Sequence, residues 1–286
     1  MRHSTQAAIL KDFKASAPQI LTRKSIAVLL LERRTRWGAP KSLKVDELIS
    51  LLLENKVLQL AILSSNEYDS KTRFILGTPS PLLIASSFYK DSFLSHGTAL
   101  FLHRLAPLDV IYVNHEQSAK QSNFGLSQAS IDRAFTNRQR TSKYSFCYAD
   151  HRIVFLNGKS TGYAGVVEMR ARNSELLRVS DLERTLIDIV VRPQYAGGLH
   201  VVVNAFRKAA QRASVPHLVD LLRRAAYSYP YHQSLGLLLE RSGLSKSRLQ
   251  PLKKIGTRFK FYLDYGMVNP LFDPVWKVYF PHDLYQ

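Results

Sequence analysis

The chain has 286 residues, of which 45% are hydrophobic and 10% aromatic; this composition is typical of a folded globular protein with one large domain or two smaller ones. Its 40 Lys and Arg against 22 Asp and Glu give a formal net charge of +18, which makes a polyanion the first kind of partner to consider. The only cysteine, Cys147, excludes an internal disulfide and is expected to pack as a small buried hydrophobe. The N-terminus lacks a signal-peptide pattern and the apolar runs are too short to span a bilayer, so we expect a cytoplasmic protein with no membrane partner.

The first third of the sequence predicts three helices followed by a β-hairpin. Helical periodicity opens the chain, Thr22 can cap a second helix, and Ser42 can cap a third. Val57–Leu63 and Arg73–Leu76 are β-rich, and the polar run between them is typical of a hairpin tip. This order favours a winged helix-turn-helix, a DNA-binding domain that we place at residues 1–79.

Basic residues lie where such a domain would meet phosphates: at the end of the second helix, around the start of the third and on the hairpin. The candidate DNA-binding residues of this domain are Arg33, Arg34, Arg36, Lys41, Ser42, Lys44, Lys71 and Arg73. The presumed outward face of the third helix offers Lys44 but also Glu47, Leu51 and Glu54, a poor set for contacts with base edges. The sequence favours DNA binding by this domain and leaves base readout by this helix open.

Residues 80–286 are predicted to form a larger mixed α+β domain, with a sheet followed by helices. A helix over His96 to Arg104 comes first, and SAKQSN from Ser118 is expected to be a loop. The β-rich segments that predict the sheet are Val110–Val113, Lys143–Ala149, Arg152–Leu156 and Ala164–Arg170, with a turn at Asn157-Gly158. Four further helices are predicted at 199–212, 215–227, 232–242 and 246–255. Two aromatic-rich runs, RFKFYLDYG and WKVYFP, could pair as a closing hairpin.

The stretch RVSDLERTLIDIVVRPQYAGGL, residues 178–199, predicts a well-capped core helix. Ser180 fits the cap position, with Glu183 reaching back to its N–H, and Pro193 follows the helix end. An apolar stripe is formed by Leu182, Leu186, Ile189 and Val190. Glu183 and Asp188 are about 140° apart around such a helix, so they cannot act as a paired acid and base.

The helical C-terminal part is more basic than the N-terminal third. Between Arg207 and Lys260 there are twelve Lys and Arg against Asp220 and Glu240, a local net charge of +10; residues 1–79 have thirteen against seven, a net of +6. Such a run is either a solvated face or a second surface for a polyanion, working beside the N-terminal domain. The candidate residues of that surface are Arg207, Lys208, Arg223, Arg224, Lys253 and Lys254.

No catalytic motif is present, and we expect a protein without enzyme activity, metal or cofactor. Glu67 and Asp69 have the spacing of metal-binding carboxylates but lack the Gly-Ser that precedes them in nucleotidyltransferases. P-loop and Gly-x-Ser-x-Gly patterns are absent. His96 and His103 are about 10 Å apart along a helix, too far to share an ion.

Four pieces of the chain, taken in order, carry a resemblance to a known family. They are LSHGTALFLHRLAPLDVIYVNHEQS, then LERTLID with RP and AGG, then YSYPYHQSLGLLLERSGL, and finally FYLDYG with DPVWKVYFP. Together they resemble the AbiEi-type antitoxins of type IV toxin–antitoxin pairs. The resemblance implies a two-domain repressor that binds double-stranded operator DNA, represses its own operon and counteracts a nucleotidyltransferase toxin without needing a stable complex with it.

Two departures from the family limit what the resemblance implies. The second helix and the wing loop look longer here, and the DNA-facing helix is poor in basic residues, so operator contacts are not carried over. Two other hypotheses remain open. In one, the C-terminal domain binds a toxin or RNA and DNA binding is incidental; in the other, the chain is an enzyme that acts on nucleic acid.

Overall fold

A computed structural model describes residues 2–117, 125–171 and 174–284. Helices and several small sheets alternate along these ranges, which confirms a mixed α+β fold. The chain divides into two compact units, Met1–Lys90 with Ser145–Arg152, and Asp91–Tyr144 with Ile153–Gln286. The loop expected from Ser118 lies outside the described residues. Within the described ranges, no helix is long and apolar enough to cross a bilayer.

The first unit contains helices packed with a small antiparallel sheet. Its elements up to residue 86 are α1 (His3–Lys14), β1 (Gln19–Leu21), α2 (Arg23–Arg33), α3 (Val45–Glu54), β2 (Leu58–Leu63), β3 (Lys71–Leu76) and α4 (Pro81–Ser86). The three helices and the β2–β3 hairpin are confirmed, whereas β1 was not expected from the sequence. The strand order is β1-β3-β2, with β3 antiparallel to both neighbours. β1 has only three residues, too short to give a periodic signal.

The caps of the first unit are partly as expected. Thr22 caps α2 in a reciprocal box with Ser25, whose N–H donates to Thr22 Oγ1 at 3.1 Å. The prediction that Ser42 caps α3 is wrong, because the N-cap is Lys44 and no side chain caps this helix. The Arg34 guanidinium donates to two backbone carbonyls of the α2–α3 connection. These hydrogen bonds hold the connection in a non-helical conformation, and α3 begins later in the chain than the sequence predicts.

The second unit is built on a mixed sheet covered by helices. Its elements are β4 (Phe93–Leu94), α5 (His96–Leu102), β5 (Val110–Glu116), α6 (Gln128–Thr136), β7 (His151–Gly158), β8 (Val166–Arg170), β9 (Leu176–Ser180), α7 (Leu182–Val191), a 3-10 turn (Pro193–Ala196), α8 (Leu199–Ala209), α9 (Val215–Ala225), α10 (Tyr231–Arg241), α11 (Lys246–Lys253), β10 (Phe261–Tyr262), β11 (Leu271–Asp273) and β12 (Val278–Phe280). The helices predicted after residue 95 are confirmed within a few residues at their ends. β7 begins in the first unit, as defined above.

The order of the main sheet brings two helix starts to one edge. From β7 the strand order is β7-β5-β4-β9-β8, and β4 runs parallel to β9 with Leu94 paired to Val179. Each of these two strands is followed directly by a helix, α5 after β4 and α7 after β9. Ligand sites in α/β sheets commonly form at the carboxyl ends of parallel strands, so this edge is the place to look for one.

The cap predicted for the long core helix is also wrong by one residue. Asp181 is the N-cap of α7, and its Oδ1 accepts the Arg184 N–H at 2.7 Å. Ser180 is still part of β9, where it pairs with Val166 of β8. Glu183 does not reach back to Ser180; its Oε1 accepts the Ser214 N–H at 2.7 Å. The strand pairing therefore holds Ser180 and moves the helix start to the next residue.

Three further expectations are corrected. Cys147 is exposed on the strand Ser145–Tyr148 (β6) because its neighbour Phe146 occupies the buried side. Asn157 and Gly158 are the last two residues of β7 rather than a turn. The two closing aromatic runs do not form a hairpin: β10 and β12 pair in parallel, because β11 takes the antiparallel position beside β12.

A close approach in the second core depends on one glycine. A Cβ on Gly236 in α10 would lie 2.1 Å from the ring of Trp276, which is completely buried. We expect Gly236→Ala to lower the free energy of unfolding by at least about 1–3 kcal/mol, because a packed core resists added volume. Urea denaturation measures this difference. Gly125→Ala is the control, since its added Cβ would meet nothing within 4 Å; equal effects of both substitutions would contradict this packing.

Candidate functional site

Several predicted DNA-binding residues of the first unit are engaged inside that unit. Arg33 and Arg36 both form ion pairs with Asp12 at 2.9 Å, and the Trp37 indole N–H donates to the same carboxylate at 3.1 Å. Burial of Asp12 would raise its pKa, but the hydrogen bonds from Arg33 and Trp37 and the two positive charges lower it. These arginines hold the end of α2 against α1, a contact that a search for basic residues cannot distinguish from DNA binding.

The hairpin residues are engaged in a similar way. The Arg73 guanidinium lies 4.0 Å from the Phe88 ring and donates to the Ser87 carbonyl at 3.2 Å, and its partial burial lowers its pKa. The Lys71 ammonium lies 5.6 Å from the Tyr89 ring. Arg34 holds the α2–α3 connection, as described above. Position on the β2–β3 hairpin therefore does not make these side chains free for phosphates.

Near the start of α3, the predicted DNA-binding residues that are exposed are Lys41, Ser42 and Lys44. On the same helix Asp46 and Glu47 are exposed in the first turn. Asp46 is held by Arg23 in a two-pronged hydrogen bond of 2.8 Å each. The α3 start thus offers two lysines next to carboxylates, an arrangement suited to phosphate contacts at its edge rather than to base readout along its face.

The six basic candidates of the second unit are not brought together on one surface feature. The Lys208 ammonium donates to the Leu105 carbonyl at 3.1 Å, and Lys253 lies 3.7 Å from the Trp276 ring. Arg207 contacts Asn204 on its own helix, and Arg224 forms a loose 3.9 Å pair with Asp220. Arg223 and Lys254, both exposed, line a common cleft.

A buried ionic cluster at the start of α7 is the most strongly organised polar feature of the second unit. The Arg184 side chain is only 4% exposed. Its Nε donates to Asp188 Oδ1 at 2.8 Å, and its Nη1 donates to the Ala164 carbonyl at 2.8 Å and lies 3.6 Å from Glu116. Although burial works against a charge, the Asp188 carboxylate raises the pKa of Arg184 above its usual range. The sequence predicts a core helix here, but not the ion pair between Arg184 and Asp188.

Glu116 connects the cluster to the loop before β8. Its Oε2 accepts N–H groups from Thr161 at 2.7 Å and Tyr163 at 3.1 Å, and its Oε1 accepts the Thr161 hydroxyl. The Thr161 hydroxyl oxygen in turn accepts from Arg184 at 2.9 Å. The buried carboxylates and the guanidinium thus have many of their hydrogen-bonding groups satisfied, as a buried ion pair requires.

The cluster lies beneath a cleft of about 510 Å³, which we call the His96 cleft. Its lining includes His96, the first residue of α5, and continues along α7 from Arg184 past Asp188 to Arg192, directly after the end of that helix. His96 Nδ1 is 2.8 Å from the Ser95 hydroxyl, and its ring meets the Tyr195 ring edge-on at 5.4 Å. Burial lowers the pKa of His96 to about 4. The imidazole is therefore neutral at pH 7.

Asp181, Glu183 and His217 form the group that comes nearest to a metal-ligand set within the described residues, with ligand atoms all within 4.8 Å of one another. His217 Nε2 pairs with Asp181 Oδ2 at 2.9 Å, and this hydrogen bond raises the pKa of His217. Glu183 accepts from the Ser214 N–H. Because each group already has a protein partner, the arrangement is accounted for without a metal. The histidines considered from the sequence are used differently, since His103 Nε2 contacts the Ser180 carbonyl at 2.8 Å.

Comparison with known proteins gives a fold and no family. The crystal structure of the RV2827C protein from Mycobacterium tuberculosis is similar to this chain with a TM-score of 0.55 and 14% identity, over 98% of this chain and 92% of that chain. The likeness is one of fold. No protein-family model and no curated protein matches the chain.

The buried cluster generates a stability prediction with a matched control. We expect Arg184→Met to lower the free energy of unfolding by about 3–5 kcal/mol, because it leaves the Asp188 and Glu116 carboxylates buried without their cation. Arg224→Met removes an arginine with the same i,i+4 spacing to a carboxylate, but both partners are about 60% exposed, so we expect a change below about 1 kcal/mol. Urea denaturation at pH 7 measures both. Similar losses for the two variants would argue against the cluster as a major source of stability.

The neutral, buried His96 generates a pH prediction. An unfolded chain takes up a proton near pH 6.5 whereas folded His96 does so only near pH 4, so acidification favours unfolding. Between pH 7 and pH 5 this histidine should cost about 2 kcal/mol of stability. The loss should be smaller by that amount in His96→Asn than in the unsubstituted protein, as measured by urea denaturation at both pH values. The control is His200→Asn, whose side chain is 70% exposed; an unchanged pH dependence in His96→Asn would contradict the prediction.

Proposed function

We propose that the chain is a cytoplasmic, non-enzymatic, DNA-binding transcriptional repressor and the antitoxin of a type IV toxin–antitoxin pair. The observation that carries the proposal is the order of elements in the first unit, α1-β1-α2-α3-β2-β3, with the sheet order β1-β3-β2. This is the arrangement expected of a winged helix, in which α3 would be the helix nearest DNA and β2–β3 the wing. The strand β1, which was not predicted from the sequence, also agrees with the winged-helix arrangement.

The start of α3 supports contacts to the DNA backbone. Lys41 and Lys44 are exposed there, and no side chain caps the helix, so its first N–H groups remain available to a phosphate oxygen. Glu47 and the exposed Glu54 further along the helix would repel a backbone lying across its face. We therefore assign α3 a role through its N-terminal end, and expect sequence preference to come from few contacts or from DNA shape.

The antitoxin part of the proposal rests on the resemblance of the second unit to AbiEi-type antitoxins. The most specific piece, LERTLID, lies on α7, where residues 183–188 are all buried. Its Glu183, Arg184 and Asp188 hold neighbouring segments together, so the motif supports a shared fold rather than a contact site. A nucleotidyltransferase toxin is the functional partner that the proposal implies, and a stable complex with it is not required.

The proposal is tested by titrating labelled DNA with the full chain at several salt concentrations. The probes are the promoter upstream of its own gene and a scrambled duplex of equal length. We expect tighter binding to the promoter that persists at physiological salt. Lys41→Ala with Lys44→Ala should weaken binding and reduce the slope of log K against log salt by roughly one to two, because each lost phosphate contact removes about 0.9.

The matched control is Lys11→Ala with Lys14→Ala, which removes the same charge from two exposed positions at the end of α1. A smaller effect of this pair would locate the contacts at the α3 end. Equal effects of the two pairs would mean that only net charge matters. Equal, salt-labile binding to both duplexes would contradict sequence-specific repression.

A further inference from the structure

Two adjoining clefts in the second unit share a wall formed by Tyr227, Ser228 and Tyr229. One is the His96 cleft; the other, of about 810 Å³, is called here the Gln233 cleft. The shared wall follows α9 directly, where Ala226 adopts a left-handed conformation with φ of 45° and ends the helix. The two clefts therefore form neighbouring parts of one groove, with tyrosine side chains at their junction.

Exposed cations lie along both parts of this groove. They are Arg140, Lys159 and Arg192 in the His96 cleft, and Arg223, Lys254 and Arg258 in the Gln233 cleft. Among the residues that line the two clefts, Asp188 of the His96 cleft is the one with an acidic side chain, and it is buried against Arg184. The groove therefore presents a strongly positive lining, which attracts an extended anion and excludes a cationic one.

Aromatic rings alternate with these cations. The Lys159 ammonium lies 5.4 Å from the Tyr227 ring, and the Arg258 guanidinium lies 5.0 Å from the Phe259 ring. Tyr195 and Tyr229 are half-buried and line the groove as well. Phosphate groups would bind the cations, whereas unpaired bases are flat and would stack on the aromatic rings.

Three buried acceptors at the walls have no hydrogen-bond partner among the described residues. These are Asn114 Oδ1 and Asp188 Oδ2 in the His96 cleft and Gln233 Oε1 in the Gln233 cleft. Each of these residues is at least nine-tenths buried. A buried acceptor without a partner is costly; these atoms lie behind the cleft lining, where a donor would have to pass the wall to reach them.

We propose that this groove binds a single-stranded nucleic acid, with phosphates on the exposed cations and unpaired bases against the tyrosines. The tyrosines also pack on neighbouring rings within the protein, and an acidic peptide would use the cations but not stack on the parts of these rings that remain exposed. A duplex keeps its bases stacked inside and would present only phosphates. This site is separate from the winged helix, so the inference does not depend on the proposed repressor function.

The test measures fluorescence anisotropy of a labelled strand of about 12 nucleotides, a length within the range of such sites, titrated with the full chain. RNA and DNA strands of one sequence identify the sugar that is preferred. Arg192→Ala with Lys254→Ala removes one exposed cation from each cleft. This pair should reduce the slope of log K against log salt by about 1.4, since each contact to a single strand adds about 0.7. At 0.1 M salt that corresponds to binding weaker on the order of 20-fold.

The control pair is Arg133→Ala with Lys246→Ala, which removes the same charge from exposed positions of the second unit outside both clefts. We expect it to change the affinity for the strand less than threefold. A second control leaves the protein unchanged and uses a strand of the same length without bases. That strand should bind at least about tenfold more weakly, because it keeps the phosphates but loses the stacking groups.

Five results would overturn the inference, the first four of them from the binding and competition experiments with strands, duplex and polyglutamate. These four are equal binding of the strand without bases, equal losses for the two pairs of variants, equal competition by a duplex of the same charge, and displacement of the strand by polyglutamate as effectively as by unlabelled strand. Displacement by a free nucleotide at the same concentration would also overturn it, since the groove would then hold a single nucleotide. Failure of promoter binding by the Lys41 and Lys44 variants would leave these results unaffected, so the two proposals fail separately.

Discussion

The second unit depends on one enclosed charge, the guanidinium of Arg184. It reaches Asp188 on its own helix, a carbonyl before β8 and the neighbourhood of Glu116 at the end of β5. A guanidinium stripped of water is unfavourable unless carboxylates and acceptors replace the water, so these segments have to stay in place together. The close packing of the Arg184 Cβ against Gly165, where an added Cβ would lie at 2.7 Å, leaves little room for adjustment. Charge and shape therefore fix the same junction.

The same helix also shapes the groove. Asp188 uses one carboxylate oxygen for Arg184 and leaves the other without a partner among the described residues. Arg192, directly after the end of α7, is exposed at the rim. The ion pairs thus hold the cluster in one arrangement as the floor of the cleft. The exposed cations that line the cleft above it can change conformation. A floor held in one arrangement lowers the entropic cost of holding a ligand, whereas each flexible cation that the ligand immobilises raises it.

Charge along the sequence and charge on the surface are different quantities in this protein. Arg33, Arg36 and Arg73 raise the count of basic residues in the first unit, yet all three make contacts within it. In the second unit Lys208 and Lys253 likewise make backbone or ring contacts. Arg140, Lys159 and Arg192 lie outside the most basic stretch and are exposed in one cleft, and there Lys159 also donates to the Ala226 carbonyl. The count of charges in a stretch therefore does not tell which side chains are held within the protein and which line a cleft.

The sequence by itself determined the mixed α+β class and most of the helices, because apolar periodicity over eight or more residues is a local signal. The nine-residue helix α6 (Gln128–Thr136) was not predicted. The sequence also determined Thr22 as the cap of α2, whereas the reciprocal hydrogen bond from the Thr22 N–H to Ser25 is seen only in the structure. Only the tertiary structure decided what depends on partners distant in the chain. β1 and β4, too short to show a period, exist because other strands pair with them, and Ser180 belongs to a strand rather than a cap for the same reason. The groove is the extreme case, since its cations come from segments between residues 140 and 258. Their proximity follows from how the chain packs around Arg184, which no spacing along the sequence records.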